Sequence, residues 1–329
     1  KFVKAFTIFY ISMEMGDVPY SDALQGEVGN ITPKYDSQKD VMLQVLDDLE
    51  EAYTLFGQAK KALLVGISEY TLNDSNTDEN TWTNIHGTND VSLLTATLKS
   101  QGFNIESICN KKATANKIRK ALKSFASSSQ KGDLVYIHFS CHGQPVEDLN
   151  GDELDGWDEA IIPVDAMKAY QKGKYEGKNH ILDDELNEYL KVIREKIGKT
   201  GFVYVVVDAC HAGSSYRGDE EEVITRGTNR GFSPMNKPFV PKIDKRGKIE
   251  IEHSETMSDI CILEACRSYQ VNSEIQEDGV YYGSLSYYVN QVLQKVELGK
   301  DIIWTNKVSR LMNEDIRLVR QNIVIETSL

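Results

Sequence analysis

The chain predicts an α/β fold, a mostly parallel sheet flanked by helices on both faces, with a short helical segment in front. Three observations carry this. Apolar runs rich in β-branched residues recur at residues 62–67, 134–139, 202–208 and 260–265, as strands buried on both faces of a parallel sheet require. Stripes with helical spacing separate them, and alternating strand and helix patterns imply parallel crossovers. Residues 1–59 follow neither pattern and divide from 60–329 in charge as well. They hold 4 Lys against 10 Asp and Glu, so −6 of the formal net charge of −13 lies there.

In the leading segment Phe2, Phe6, Phe9 and Tyr10 fall at helical spacing, and Gly16-Asp17-Val18-Pro19-Tyr20 breaks that helix. Ser37-Gln38-Lys39-Asp40 then opens a second helix as a capping-box variant, with Val41, Val45, Leu49 and Tyr53 on one stripe. From Lys60 the α/β pattern begins with the strand at 62–67. Val91, Leu94 and Leu98 mark a helix that Gly102 ends, and Thr114 caps another carrying Ile118, Leu122 and Phe125. The strand at 134–139, an acidic loop, a helix with Leu186, Leu190, Ile193 and Ile197, and the strand at 202–208 follow. A polar stretch, residues 214–256, separates this large part (60–213) from a smaller one (257–329) with a strand at 260–265 and a helix near 284–296.

Bulk properties narrow the function. A net charge of −13 argues against nucleic-acid binding and suits attraction of cations or basic peptides. Five cysteines without CxxC spacing predict free thiols and no disulfide framework. Such thiols suit a reducing compartment. No apolar stretch reaches membrane-spanning length, and the first ten residues lack the small-residue cleavage site of a signal peptide. A monomer with no organic cofactor is expected.

The chemistry gathers at two strand ends, His138-Phe139-Ser140-Cys141-His142-Gly143 and Val207-Asp208-Ala209-Cys210-His211-Ala212-Gly213. Reactive groups of open α/β sheets sit at the carboxyl ends of strands, so an imidazole and a thiol would meet there, the minimum for a cysteine nucleophile with its base. Side chains alternate along a strand, which permits two dyads, His142 with Cys210 or His211 with Cys141. The first set is favoured because Ser140 and Asp208 share its side and Gly143 follows the histidine, where a free N–H could meet an oxyanion. A zinc site is the competing reading. Each Cys-His dipeptide offers only one ligand per side, whereas structural zinc needs four.

A second cluster is acidic: Asp148, Asp152, Glu153, Asp155, Asp158, Glu159, Asp165 and later Asp183-Asp184-Glu185. A solvated loop with a helix cap explains it. Converging carboxylates would instead suit Ca²⁺, which takes six to eight oxygens, and the spacing leaves both open.

These residues resemble the caspase-like cysteine peptidases of the metacaspase and bacterial metacaspase-like branch. The resemblance covers about residues 60–329. It rests on Lys61–Ile67, Gly87–Val91, Phe139–Gly143, Asp155–Glu159 with Ile162–Asp165, Leu182–Glu185, Asp208–Gly213, and Ala265–Ser268 with Gly283–Ser286. It implies that His142 is the general base, Cys210 the nucleophile, and the N–H groups of Gly143 and Cys210 the oxyanion hole. Asp208, Ser140 and Asp90 would line a pocket for Arg or Lys at P1, the residue whose carbonyl is attacked. It further implies calcium ligands at Asp158, Asp183 and Asp184; the fourth position holds Arg217, with Asp219 the nearest acid. Peptide or protein substrates cut after Arg or Lys follow, as does self-cleavage in the basic loop after Arg226, Arg230, Lys245 or Arg246. An inactive caspase-like interaction module is the alternative. Residues 1–59 resemble a fragment of SusD-like glycan-binding lipoproteins, which would make them a prosegment or fusion and hint at a cell-envelope origin.

Overall fold

A computed structural model describes residues 2–21, 33–70, 81–151, 153, 156–210, 223–241, 243, 248–251, 253–318 and 320–329. The chain forms two compact units, Lys1–Gln58 and Ala59–Leu329.

In the first unit α1 (Phe2–Met15) and α2 (Gln38–Gly57) are the two expected helices. Ser37 caps α2 by accepting the Asp40 N–H. Val41 and Val45 pack with Ala5, Val18 and Tyr20. The aromatic stripe of α1 keeps the expected helical spacing. Phe2, Phe6, Phe9 and Tyr10 are all exposed, and their rings pack on one another, Phe6 with Tyr10 at 5.1 Å between centroids. The buried face of α1 carries the small Ala5 and Ser12.

The second unit is built on a seven-stranded sheet. In chain order it contains β1 (Lys60–Gly66), α3 (Gly87–Ser100), β2 (Asn104–Cys109), α4 (Ala115–Ser128) and β3 (Leu134–Ser140). Then come β4 (His142–Glu147), β5 (Trp157–Ile162), β6 (Ile181–Leu182), α5 (Asp183–Ile197) and β7 (Phe202–Asp208). It ends with β8 (Lys248–Glu250), β9 (Asp259–Glu264), β10 (Glu274–Glu277), β11 (Val280–Gly283), α6 (Ser284–Leu293), α7 (Ile303–Glu314) and β12 (Val324–Thr327). The sheet order is β2-β1-β3-β7-β9-β12-β8. The first five strands are mutually parallel, and β12 runs antiparallel to β9.

The period of two along each strand sorts the core into two layers. Leu63, Val65, Val135, Ile137, Val203 and Val205 meet Ile118 and Leu122 of α4 and Leu186, Leu190 and Ile193 of α5. Ala62, Leu64, Tyr136, Tyr204 and Val206 face the other way, against Leu94 of α3, Val289 of α6 and Trp304 and Val308 of α7. Registers Gly66↔Ser140 and Ser140↔Asp208 bring the carboxyl ends of β1, β3 and β7 level. That levelling creates the site. The sequence pattern did not reveal β2, α7 or β12, and α6 stops at Leu293, short of 296. β2 is an edge strand in which polar Asn104, Glu106 and Ser107 alternate with or interrupt the apolar residues, so no apolar run announces it.

Among the described residues three histidines are enclosed in this unit. His138 meets Ser286 Oγ at 2.9 Å, His180 lies between Tyr175 and Gln144, and His142 begins β4. Burial pushes His138 and His142 down to about 4 and His180 to about 3. Below about pH 6.5 the unfolded chain takes up protons that these folded groups refuse, so stability is complete above that pH and is lost as pH falls toward 4. Asp90 acts in reverse because burial pushes it up to about 7, but it is one group against three. The urea midpoint should correspond to a loss on the order of 3 kcal/mol between pH 7.5 and 5. An unchanged midpoint would contradict the buried neutral imidazoles.

Candidate active site

His142 follows β3 by two residues and packs against Trp82 and Tyr70, both ring centroids 4.9 Å away. Its backbone N–H donates to the Tyr70 hydroxyl at 2.9 Å, and Tyr70 in turn donates to the Ile162 carbonyl. Trp82 is fixed by its indole N–H on the Ala166 carbonyl. His142 Nε2 lies 2.8 Å from the Thr83 carbonyl oxygen, which can only accept. The ring proton is therefore on Nε2. Nδ1 keeps its lone pair, and it is buried with no hydrogen-bond partner. With burial holding the ring at about 4, it is neutral at physiological pH, as a general base must be.

Cys210 sits two residues beyond Asp208 at the end of β7. Its Sγ lies 3.0 Å from the Gln270 carbonyl oxygen and 3.4 Å from Cys266 Sγ. The neighbouring thiol raises Cys266 well above its usual value, and burial adds to that. Cys141 points the other way, into the hydrophobic core, where burial pushes its thiol up to about 12. His211 lies outside the described residues.

The space between Cys210 and His142 is filled by the chain itself. The backbone N–H groups of Cys210 and Gly143 both donate to the carbonyl oxygen of Arg226, at 2.9 and 3.2 Å. The Arg226 N–H donates to the Asn272 carbonyl, the Glu274 N–H donates to the Ile224 carbonyl, and Thr225 bridges Ser273 in antiparallel fashion. Residues 224–226 thus lie as an added strand on the segment leading into β10, a usual way for an extended peptide to bind. Past Arg226, Gly227 bridges Gly143 and Cys210, and Phe232 pairs with Val146 of β4. A Cβ at Gly227 would overlap the Cys210 carbonyl oxygen. Only glycine fits there.

The Arg226 side chain enters a closed pocket and is completely buried. Its Nη2 is 2.8 Å from Asp90 Oδ2, its Nη1 donates to Ser140 Oγ at 2.6 Å, and Asp208 Oδ1 lies 3.7 Å away. Glu274 Oε1 accepts from Nε at 3.1 Å and from Nη2 at 2.9 Å. Asp208 is held by Asn272 and by the backbone N–H and hydroxyl of Ser286. Gly283 closes the wall, since a Cβ there would strike both Asp208 and the guanidinium. Burial pushes the Asp208 carboxyl up, but Arg226, Asn272 and Ser286 outweigh it and hold it below the usual range. Burial likewise opposes the guanidinium charge, and Asp90, Asp208 and Glu274 outweigh it. Buried charges persist only when paired in this way.

The structure therefore brings His142, Cys210, Gly143, Asp208, Ser140 and Asp90 around one residue. Sequence reasoning missed Glu274, Asn272 and Cys266. Glu274 and Asn272 belong to no strand-end motif and carry no spacing signal, whereas Cys266 stands two residues past β9 within Ala265–Ser268, a stretch whose resemblance implies no role for that thiol. Arg230 stays outside the pocket, its carbonyl accepting from Gln144 Nε2, and Lys245 and Arg246 lie outside the described residues. The acidic residues expected to hold calcium are only partly among the described residues. Asp183 accepts the Glu159 N–H and Asp184 accepts from Asn150, while Asp219, Asp152 and Asp155 lie outside the described residues. Among the described residues no group of three or more His, Cys, Asp or Glu side chains is arranged to hold a metal. No helix among them is long and apolar enough to cross a membrane.

Comparison with known proteins agrees with this geometry. Metacaspase-3 of Arabidopsis thaliana is 26% identical over 170 residues, covering 49% of this chain and 38% of that protein. Metacaspase-1 of Eremothecium gossypii is 23% identical over 319 residues, covering 83% and 66%. Metacaspase-1B of Aspergillus terreus reaches 35% over 103 residues, 31% of this chain and 24% of that one. The chain thus spans less than two thirds of the length of each of these relatives. Among solved structures, protein GSU0716 from Geobacter sulfurreducens matches with a TM-score of 0.54 at 20% identity, over 82% of this chain and 93% of that chain, and so shares the fold. The family model described as the caspase domain matches residues 59–319, and with the site at the ends of β3 and β7 the chain belongs to the caspase-domain family.

Proposed function

We propose that this chain is a cysteine endopeptidase that cuts after Arg or Lys and processes itself at the Arg226–Gly227 bond. The observation that carries the reading is Arg226, whose carbonyl oxygen receives two backbone N–H groups while its side chain fills a pocket of three carboxylates. A peptidase would hold a substrate in this way at the moment of attack.

The chemistry follows from the atoms present. Rotation of the Cys210 side chain brings Sγ from Gln270 toward the Arg226 carbonyl carbon. His142 Nδ1 takes the thiol proton as the S–C bond forms. The Gly143 and Cys210 N–H groups hold the oxyanion. The imidazolium then returns the proton to the departing Gly227 nitrogen, leaving a thioester that water, deprotonated by His142, hydrolyses. Buried carboxylates set the preference for a cation at P1 and exclude an acidic one.

Calcium enters this proposal as a stimulating ion, with no step of the chemistry routed through it. Asp158, Asp183 and Asp184 lie near one end of the small sheet formed by β4, β5 and β6, and loop oxygens would have to complete the shell. The expected result is turnover of Arg-P1 fluorogenic peptides, none of Asp-P1 peptides, and a fall in rate on chelation that Asp184→Ala reproduces. Turnover of Asp-P1 peptides would sink the basic specificity. Equal rates in chelator and in millimolar calcium would remove the ion.

A further inference from the structure

We propose that Glu274 makes the pocket choose arginine over lysine, an inference that rests on the reading of this site as a peptidase for basic P1 residues. Asp90, Ser140 and Asp208 meet Arg226 at its terminal nitrogens, and Asp90 and Asp208 would pair with any cation of suitable length. Glu274 is placed differently. Its Oε1 accepts from Nε at 3.1 Å and from Nη2 at 2.9 Å, so it grips the edge of the guanidinium at a nitrogen inside the side chain. At the position of that nitrogen lysine has a methylene, with no proton to donate.

The carboxylate cannot turn away to suit a lysine. Its side chain has no exposed surface. Oε1 also accepts the His86 N–H at 2.7 Å, and Oε2 pairs with His86 Nδ1. The His86 ring is held by stacking on Tyr281, 4.9 Å between centroids. The backbone adds a further constraint, because the Glu274 N–H pairs with the Ile224 carbonyl two residues before Arg226. One residue thus grips the bound peptide at its backbone and at its P1 side chain. A lysine would leave a buried carboxylate oxygen short of two donors, and losing such contacts changes rates by about ten- to a hundredfold.

Four full-length chains test this: wild type, Arg226→Lys, Glu274→Met and the double variant, each followed by the appearance of Gly227 as a new N-terminus. Arg226→Lys should slow self-cleavage about ten- to a hundredfold in the wild-type background and have no such effect in the Glu274→Met background, which keeps the length but has no acceptor oxygen. Hydrolysis of Arg-P1 and Lys-P1 peptides by the processed wild-type enzyme should show the same preference. Glu274→Asp, which keeps the charge but shortens the reach, should also lose the preference, and thermal melting checks that each variant is folded. Equal cutting after Arg and Lys by the wild type, or an unchanged preference in folded Glu274→Met, would overturn the role of Glu274 while leaving basic specificity intact. A wild type that cuts after neither residue would overturn the peptidase reading itself.

Discussion

Purified wild-type protein should separate under denaturing conditions into residues 1–226 and 227–329, and Cys210→Ala should remain one chain. The nucleophile and base act as a unit, so His142→Ala should be equally inert and the double variant no worse. Turnover of Arg-P1 peptides should fall roughly 10⁴- to 10⁶-fold in each case. Cys141→Ala should still cleave, because that thiol is buried in the hydrophobic core. Arg226→Gln should stay whole with both catalytic residues present, since the amide brings no cation into the pocket. Edman sequencing locates the cut. Cleavage persisting in Cys210→Ala, or lost only in Cys141→Ala, would reverse the choice of dyad.

Asp208→Asn should cost about 10²- to 10⁴-fold in kcat/KM on Arg-P1 peptides, as expected when one partner is removed from a buried ion pair. The loss has two sources. One charge facing the guanidinium disappears. The new amide also presents N–H to a site that now receives donors from Asn272 and from the N–H and hydroxyl of Ser286, so at least one of those donors loses its acceptor. Far-ultraviolet circular dichroism should match the wild type, since β7 is anchored by its neighbours β3 and β9. A folded Asp208→Asn enzyme with wild-type kcat/KM would exclude this carboxylate from P1 recognition.

The sequence shows those parts of the molecule that repeat a simple period. β1, β3, β7 and β9 are continuous apolar runs, and α3, α4 and α5 carry clear stripes. Ser140, His142, Asp208 and Cys210 could be grouped because strand alternation continues to the strand ends. Asp90, in the first turn of α3, was placed in the pocket through the family resemblance alone. Glu274 was out of reach. It belongs to no motif, and long-range folding brings it under Arg226 through a hairpin whose strands are four residues each. Likewise the aromatic residues of α1 keep a helical period and yet stay exposed, because periodicity reports a face without saying what covers it.

The tether on Arg226 has a kinetic consequence. A segment joined to its own cleft competes at an effective concentration on the order of millimolar. Before the cut, external peptides at micromolar levels meet an occupied site, and dilution cannot relieve the competition. After the cut the same residues become a strand with a free end, paired by the few backbone bonds at 272–274. Its new carboxylate lies at the Cys210 and Gly143 N–H groups that held the carbonyl oxygen, and the guanidinium keeps its three carboxylates, so the strand leaves slowly. Onset of activity toward other proteins would then follow departure of residues 223–226, and that departure should give a lag independent of enzyme concentration.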